Sequence, residues 1–465
     1  MSPLPHVDHP PHLLPVTRRK ALGLWTAMAL VVGNMVGSGA YLVPAELGRY
    51  GPISLLGWLV TAAGAVCLAM VFGRLGRIMP AEGGPYAYTR AAFGDLPGFL
   101  VAWGYWVSVW VGNAAIATAF VAYLTPFFPA LGQAPVAQAA LALSAIWLLT
   151  ALNAWGLREA ALLQLVTTVL KILPLVALAT LGLLAVDTAN FRPVNVSGGS
   201  GISAVTATAA LTLWGLLGLE CVTIPADEVD RPERTIPLAT VFGTVATAGV
   251  YILSTVSVMG VVPAGELAAT TAPYAEAAGR IWGVGIGRLV AAGAAIAAFG
   301  ALNGWVLMQG QMPLAPARHG LFPSAFGRLS PRGTPAFGLV LSSGLTTVLV
   351  MANYTRGLVG LFVFATLLAT VTVLLSYLGA AAAQVAFILR GTAGFGGRGA
   401  RVALLVSALA FVYSVWAVVG AGWDPVLWGG VLLALGLPIY LQGAGERARC
   451  RAAAAAALGG GEPHA

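Results

Sequence analysis

A carboxylate, an ammonium and two indoles fall inside stretches of sequence that are otherwise apolar. Glu220 closes the run Thr212-Leu213-Trp214-Gly215-Leu216-Leu217-Gly218-Leu219-Glu220, and Lys171 follows Thr167-Thr168-Val169-Leu170. Charge in such surroundings is costly without an interior partner, and marks a polar contact, a solute path or a proton relay. Lys171 either binds and releases a proton or acts as a fixed cation on the carbonyls of a neighbouring broken helix. Glu220 has a blander alternative as a snorkelling or loop-facing side chain near Asp227 and Glu228. Trp214, and Trp305 after Asn303-Gly304, can each offer an aromatic face to an ammonium, worth about 2 kcal/mol when desolvated. As two of 13 tryptophans, they can equally be core or lipid filler.

The backbone supplies further polar groups. Val32-Gly33-Asn34-Met35-Val36-Gly37-Ser38-Gly39-Ala40 places three glycines, an asparagine and a serine in an apolar run. Backbone leaves the helix at membrane depth only where protein or a cavity satisfies it. Gly37, Ser38 and Gly39 therefore read as a break exposing peptide groups to a solute, with close helix packing through small residues as the alternative. Gly215 and Gly218 repeat the signal beside Trp214. Tyr105, Ser108 and Gly112 share one helical face by steps of three and four. Asn113 faces either a polar solute or a neighbouring helix.

The elements that must hold these groups are set by composition. Of 465 residues, 58% are hydrophobic and 9% charged, whereas soluble domains carry roughly a quarter charged residues. The chain reads as one all-α polytopic membrane unit. Twelve apolar segments span 21–45, 53–78, 97–126, 136–153, 160–185, 202–225, 236–261, 284–312, 336–352, 357–388, 402–421 and 424–443. A crossing needs about 20 residues. Residues 21–443 then form a single transporter-like domain. Helices 1 and 6 each begin a group of five, and matching interruptions in two halves point to an inverted repeat around a central site. Rings of charge or a carbonyl filter, which would advertise a channel, are missing from the sequence.

Basic residues orient the segments. With the N-terminus inside, 18 Lys and Arg lie on the cytoplasmic side, five lie outside, and Lys171 lies within a helix. That asymmetry favours both termini in the cytoplasm, with tails over 1–20 and 444–465. No cleavable leader is evident, and His6, His9 and His12 read as part of a solvated tail rather than a metal site. The net charge of +8 reflects topology, without the aromatic–basic interleaving of a nucleic-acid binder. Cys67, Cys221 and Cys450 match neither a disulfide framework nor a metal site. No nucleophile–base pair, metal cluster or phosphate loop suggests an enzyme, and no organic cofactor is implied.

Several motifs together resemble the amino acid–polyamine–organocation superfamily, most closely its bacterial basic amino acid/polyamine antiporter branch. They are Gly33 to Gly39, Gly83-Gly84-Pro85-Tyr86-Ala87-Tyr88, Trp106 to Asn113, Leu213 to Glu220, Gly304-Trp305, Gly320-Leu321-Phe322-Pro323 and Gly333-Thr334-Pro335. The resemblance runs from about residue 15 to about residue 443. It implies a twelve-helix, LeuT-like five-plus-five inverted repeat with helices 1 and 6 broken. By likeness to arginine/agmatine antiporters, Gly37, Ser38 and Gly39 would receive a substrate carboxylate, and the broken part of helix 6, with Gly218, the amino group. Trp214 would stack on the substrate and Trp305 on its cationic tail. Tyr105 resembles an aromatic outer gate or pH-responsive residue, Asn113 a substrate contact, and Glu220 an acid tied to exchange or proton sensitivity. Ser108 and Val109 depart from the Ala-Cys-like pair of those antiporters, and Gly360-Leu361-Phe362 stands in place of a serine-bearing stretch. Lys171 resembles the helix-5 lysine of proton-coupled, sodium-independent relatives.

The expected activity is secondary transport across the cytoplasmic membrane, exchanging a cationic amino acid and a related amine by alternating access. A broad-range amino acid:proton symporter, using Lys171 or Glu220, is the nearest rival. A membrane receptor or sensor is the rival from another class. Expected partners are the small-molecule substrate, membrane lipid, coupled protons and a second copy in a homodimer.

Overall fold

The computed structural model describes residues 22–81, 83–155, 171–224, 226, 229–397, 399–445 and 447, with backbone alone at 38–40. The N-terminal tail, the C-terminal tail beyond residue 447, Asp227 and Glu228, and Thr167 to Leu170 lie outside the described residues. Among those described, the chain is helical, with no strand beyond one isolated bridge between Leu22 and Val229.

In chain order the helices are α1 (Leu24–Met35), α2 (Ser38–Leu47), α3 (Ser54–Ile78), α4 (Pro85–Phe93), α5 (Asp95–Ala122), α6 (Pro135–Trp155) and α7 (Lys171–Ala185). There follow α8 (Gly201–Leu213), α9 (Pro232–Val261), α10 (Ala264–Ala269), α11 (Pro273–Trp282), α12 (Val284–Gln311) and α13 (Leu314–Arg318). The last five are α14 (Ala336–Asn353), α15 (Gly357–Leu389), α16 (Ala400–Gly420), α17 (Trp423–Ala434) and α18 (Gly436–Gln442). Eight helical stretches among the described residues are long and apolar enough to cross a membrane; one of them, Ala336–Leu389, comprises α14 and α15.

Burial divides these helices into core and periphery. The apolar window of α5 is 94% buried, against 33% for α16 and 17% for the stretch Trp423–Gln442. α5 is therefore the central post, packed on α15, α12 and α6, while α16 and α17 leave Val415, Val419 and Trp428 exposed as lipid-facing helices do. Small residues permit the close approach of backbones that drives helix association in lipid. Ala102, Gly104, Gly112, Ala115 and Ala119 line α5 for this reason.

Two apolar runs that periodicity reads as single crossings are each interrupted. α1 stops at Met35, Val36 turns to an extended conformation, and α2 restarts at Ser38. α8 stops at Leu213, gives a short 3-10 turn over Trp214–Leu216, and another at Cys221–Thr223 after an irregular stretch. Gly218 makes the second break possible: its φ of +102° is disfavoured for any residue with a Cβ. A side chain there would also press on Asn34, at 3.2 Å from its Cβ, so the two breaks meet at these residues.

Candidate functional site

Both breaks border one central cavity. Asn34, Met35 and Gly37 reach it from the first break, and Trp214, Leu217 and Glu220 from the second. α5 contributes Tyr105, Ser108, Val109, Gly112 and Ile116; Trp305 and Val373 complete the wall from α12 and α15. Among the described residues, Glu220 is the one charged residue in this lining.

The Glu220 carboxylate is 1% exposed and held from two sides. Tyr105 Oη donates to Oε1 at 2.8 Å and Tyr377 Oη donates to Oε2 at 2.6 Å. The side chain therefore points inward rather than snorkelling to a loop. A carboxylate has about four lone-pair sites, so two phenol donors leave capacity for an incoming ammonium. Its position is fixed by the turn that follows: Thr223 returns both its N–H and its hydroxyl to the Glu220 carbonyl, at 2.8 Å and 2.7 Å.

The two indoles flank the cavity. Trp214 lies over Gly112, where an added Cβ would stand 2.8 Å from the indole edge, so only glycine lets α5 approach this ring. Trp305 lines the wall from α12, one turn beyond Ala301, which touches the Gly37 backbone where a Cβ would stand at 3.2 Å. Ser108 lines the cavity but spends its hydroxyl on the Tyr105 carbonyl, at 2.7 Å. Ser38 and Gly39 form the first turn of α2, where backbone N–H groups have no intrahelical acceptor and favour an anion.

The first break is pinned from outside the cavity. Lys171 Nζ donates to the Gly33 carbonyl, and the Tyr41 hydroxyl donates to the Lys171 carbonyl. Tyr251 Oη donates to the Met35 carbonyl at 2.8 Å. A cation at the last turn of a helix complements its dipole, and a carbonyl freed by a break must find a donor. Lys171 is fully buried in this role and does not line the cavity. A contact of this kind is what the fixed-cation reading expects.

Other expected positions fall elsewhere. Asn113 is fully buried but turned away from the cavity, its Nδ2 donating to Gln309 Oε1 at 2.7 Å. Gln309 passes the chain of bonds to Ser343 at 2.7 Å, and Ser343 to Thr150 at 2.6 Å. That is the interhelical alternative for Asn113. Gly218 shapes the second break without lining the cavity. Leu361, in the Gly360–Phe362 stretch, borders a separate cleft with Thr118 and Gln138, whereas α15 meets the cavity through Val373 and Glu220 through Tyr377. Tyr377, Met35, Ile116 and Val373 were not singled out by residue type. Tyr377 stands 157 residues from its partner, and its one signal is a hydroxyl inside an apolar helix.

Among known proteins, residues 22–429 match the amino acid permease family. The chain is 34% identical over 339 residues to a cadaverine/lysine antiporter of Escherichia coli (strain K12), covering 71% of this chain and 74% of that protein. It is 30% identical over 423 residues to the putrescine transporter PotE of Haemophilus influenzae, covering 90% of this chain and 96% of that protein. PotE of Escherichia coli (strain K12) matches at 31% over 425 residues, 90% and 95% of the two chains.

Proposed function

The chain belongs to the amino acid permease family, within the amino acid–polyamine–organocation superfamily, and from that membership we propose that it exchanges a cationic amino acid for a linear diamine. The observation that carries this reading is the charge of the cavity: among the described residues its lining holds one buried carboxylate, Glu220, and no basic side chain. Such a lining favours an amine end, with Trp214 and Trp305 offering ring faces to a second cationic end or to its methylenes. A carboxylate, where the substrate has one, goes to the free amides of Gly37, Ser38 and Gly39. Lysine with cadaverine is the pair that one relative's name suggests, and putrescine the amine that the others' suggest.

The architecture of this reading is twelve crossings in a LeuT-like five-plus-five inverted repeat, with both termini cytoplasmic in the inner membrane. Alternating access then opens the cavity to one side at a time, as substrate contacts bias the balance between two states. Proton symport is a second reading, favoured by one observation: Lys171 reaches a carbonyl rather than a carboxylate, leaving its proton available for exchange.

Counterflow in proteoliposomes separates the two. Labelled cadaverine or lysine outside, with unlabelled substrate inside, should enter quickly and should not enter when internal substrate is omitted. Uptake driven by an imposed proton gradient into empty vesicles would replace exchange by symport. Competition by small neutral amino acids alone would reject the cationic substrate class.

A further inference from the structure

The cavity is bracketed along α5 by two groups of tyrosines, of which the Tyr105–Tyr377 pair holds the Glu220 carboxylate. From Ile116 in the cavity wall, α5 runs on to Tyr123, about 10 Å further at the helical rise. There Tyr123 meets Tyr41 of α2 and Tyr274 of α11, all three fully buried. The Tyr41 ring stands edge-on to both, with centroids 5.7 Å and 5.4 Å away. Tyr123 Oη donates to the Tyr41 carbonyl at 2.5 Å and accepts from the Tyr274 N–H at 3.4 Å. Tyr274 Oη shares a bond with Ser254 of α9 at 2.8 Å, and Thr125 with Thr271 forms an outer rim at 2.8 Å.

We propose that Tyr123 is the pin of a lock that holds α2 shut beneath α11, so that this end of the cavity opens only when its bond to the Tyr41 carbonyl breaks. The lock reaches the first helix break through a continuous chain. Tyr41 donates to the Lys171 carbonyl, and Lys171 donates to the carbonyl of Gly33. Movement of α2 away from α11 therefore pulls on the group that caps α1. One phenol bonds both moving parts, because Tyr123 follows the most buried helix of the fold and is itself held in place. The lock presupposes alternating access, but its test reads solvent access rather than flux.

The test uses the full chain in proteoliposomes, with Cys67, Cys221 and Cys450 replaced by serine and Ile116→Cys as reporter in the cavity wall. A membrane-impermeant cationic thiol reagent is applied from either side, and Phe128→Cys, exposed beyond Thr125, identifies the lock side. Tyr123→Phe removes both bonds and keeps the ring. It should raise reporter labelling from the lock side by about tenfold, with no rise from the Glu220 side. Thr125→Val, which leaves the tyrosines intact, should give a smaller rise on the same side. Unchanged labelling in a Tyr123→Phe protein that elutes like its parent overturns the proposal, as does an equal rise from both sides. Should Tyr123→Phe fail to fold, Thr125→Val decides alone: a one-sided rise supports the lock, and no rise overturns it. Side-specific labelling without counterflow would instead reject the exchange reading and leave the lock standing.

Discussion

Replacing Glu220 by glutamine is the most direct trial of the charge reading, because the substitution preserves shape and removes the one charge of the cavity lining. An ammonium about 4 Å from a carboxylate gains about 4 kcal/mol at an effective dielectric constant of about 20. Desolvation of both ions takes back part of that, leaving about 1.5–3 kcal/mol for a charge-assisted bond. Affinity for a diamine should therefore fall by about tenfold to about 150-fold. The surroundings tolerate the change: the new amide oxygen still accepts from Tyr105, and the Tyr377 hydroxyl, 2.6 Å away, turns to accept from the new NH₂. Calorimetric titration of purified protein with cadaverine measures the loss, and thermal unfolding confirms that the fold persists. A neutral amino acid serves as the control, since its binding gains little from the carboxylate. If glutamine at this position leaves diamine affinity unchanged in a folded protein, the charge argument fails.

Three further substitutions test other parts of the site, and a fourth tests a half-buried histidine outside it. Tyr377→Phe removes one of two donors to Glu220 and should weaken diamine binding by about 1 kcal/mol, read in the same titration. Gly112→Ala forces the Trp214 indole into the cavity; overpacking of this kind costs about 1–3 kcal/mol and should lower exchange and alter tryptophan fluorescence on substrate addition. Lys171→Met leaves the Gly33 carbonyl without its donor, yet also removes a costly buried ammonium, so counterflow should collapse while the melting temperature moves only slightly. At the loop after α13, burial holds His319 down at about 4, well below its usual 6.5, and its Nδ1 shares a hydrogen bond with Tyr86 Oη at 3.1 Å. The unfolded chain therefore binds this proton first, so stability falls as pH drops from about 6.5 towards 4, by up to about 3 kcal/mol. His319→Gln should flatten that slope in melting curves recorded across this range.

How much of this was legible in the sequence depends on what kind of partner each residue has. The breaks at Val36–Gly37 and Leu217–Gly218 were legible because helix interiors penalise glycine, so clustered glycines in a lipid-length run need a reason. Glu220 and Lys171 stood out because charge inside apolar sequence is expensive. Their partners were hidden. Lys171 and Tyr251 bond backbone carbonyls, which every residue carries, and Tyr377 comes from a distant helix. Asn113 shows the limit of spacing arguments: one residue along a helix is a turn of 100°, enough to carry it from the cavity face of Gly112 to Gln309 on α12.

The solitary carboxylate of the cavity also bears on the energetics of a full cycle. With Glu220 ionised, a bound diamine leaves the loaded carrier one elementary charge more positive than bound lysine does. Under the exchange proposed above, swapping one for the other would carry net current, and the membrane voltage would act on it by about 2.3 kcal/mol per 100 mV. A cell interior at negative potential holds back the outgoing dication by that amount. The concentration ratios of the two solutes must exceed it before diamine leaves the cell.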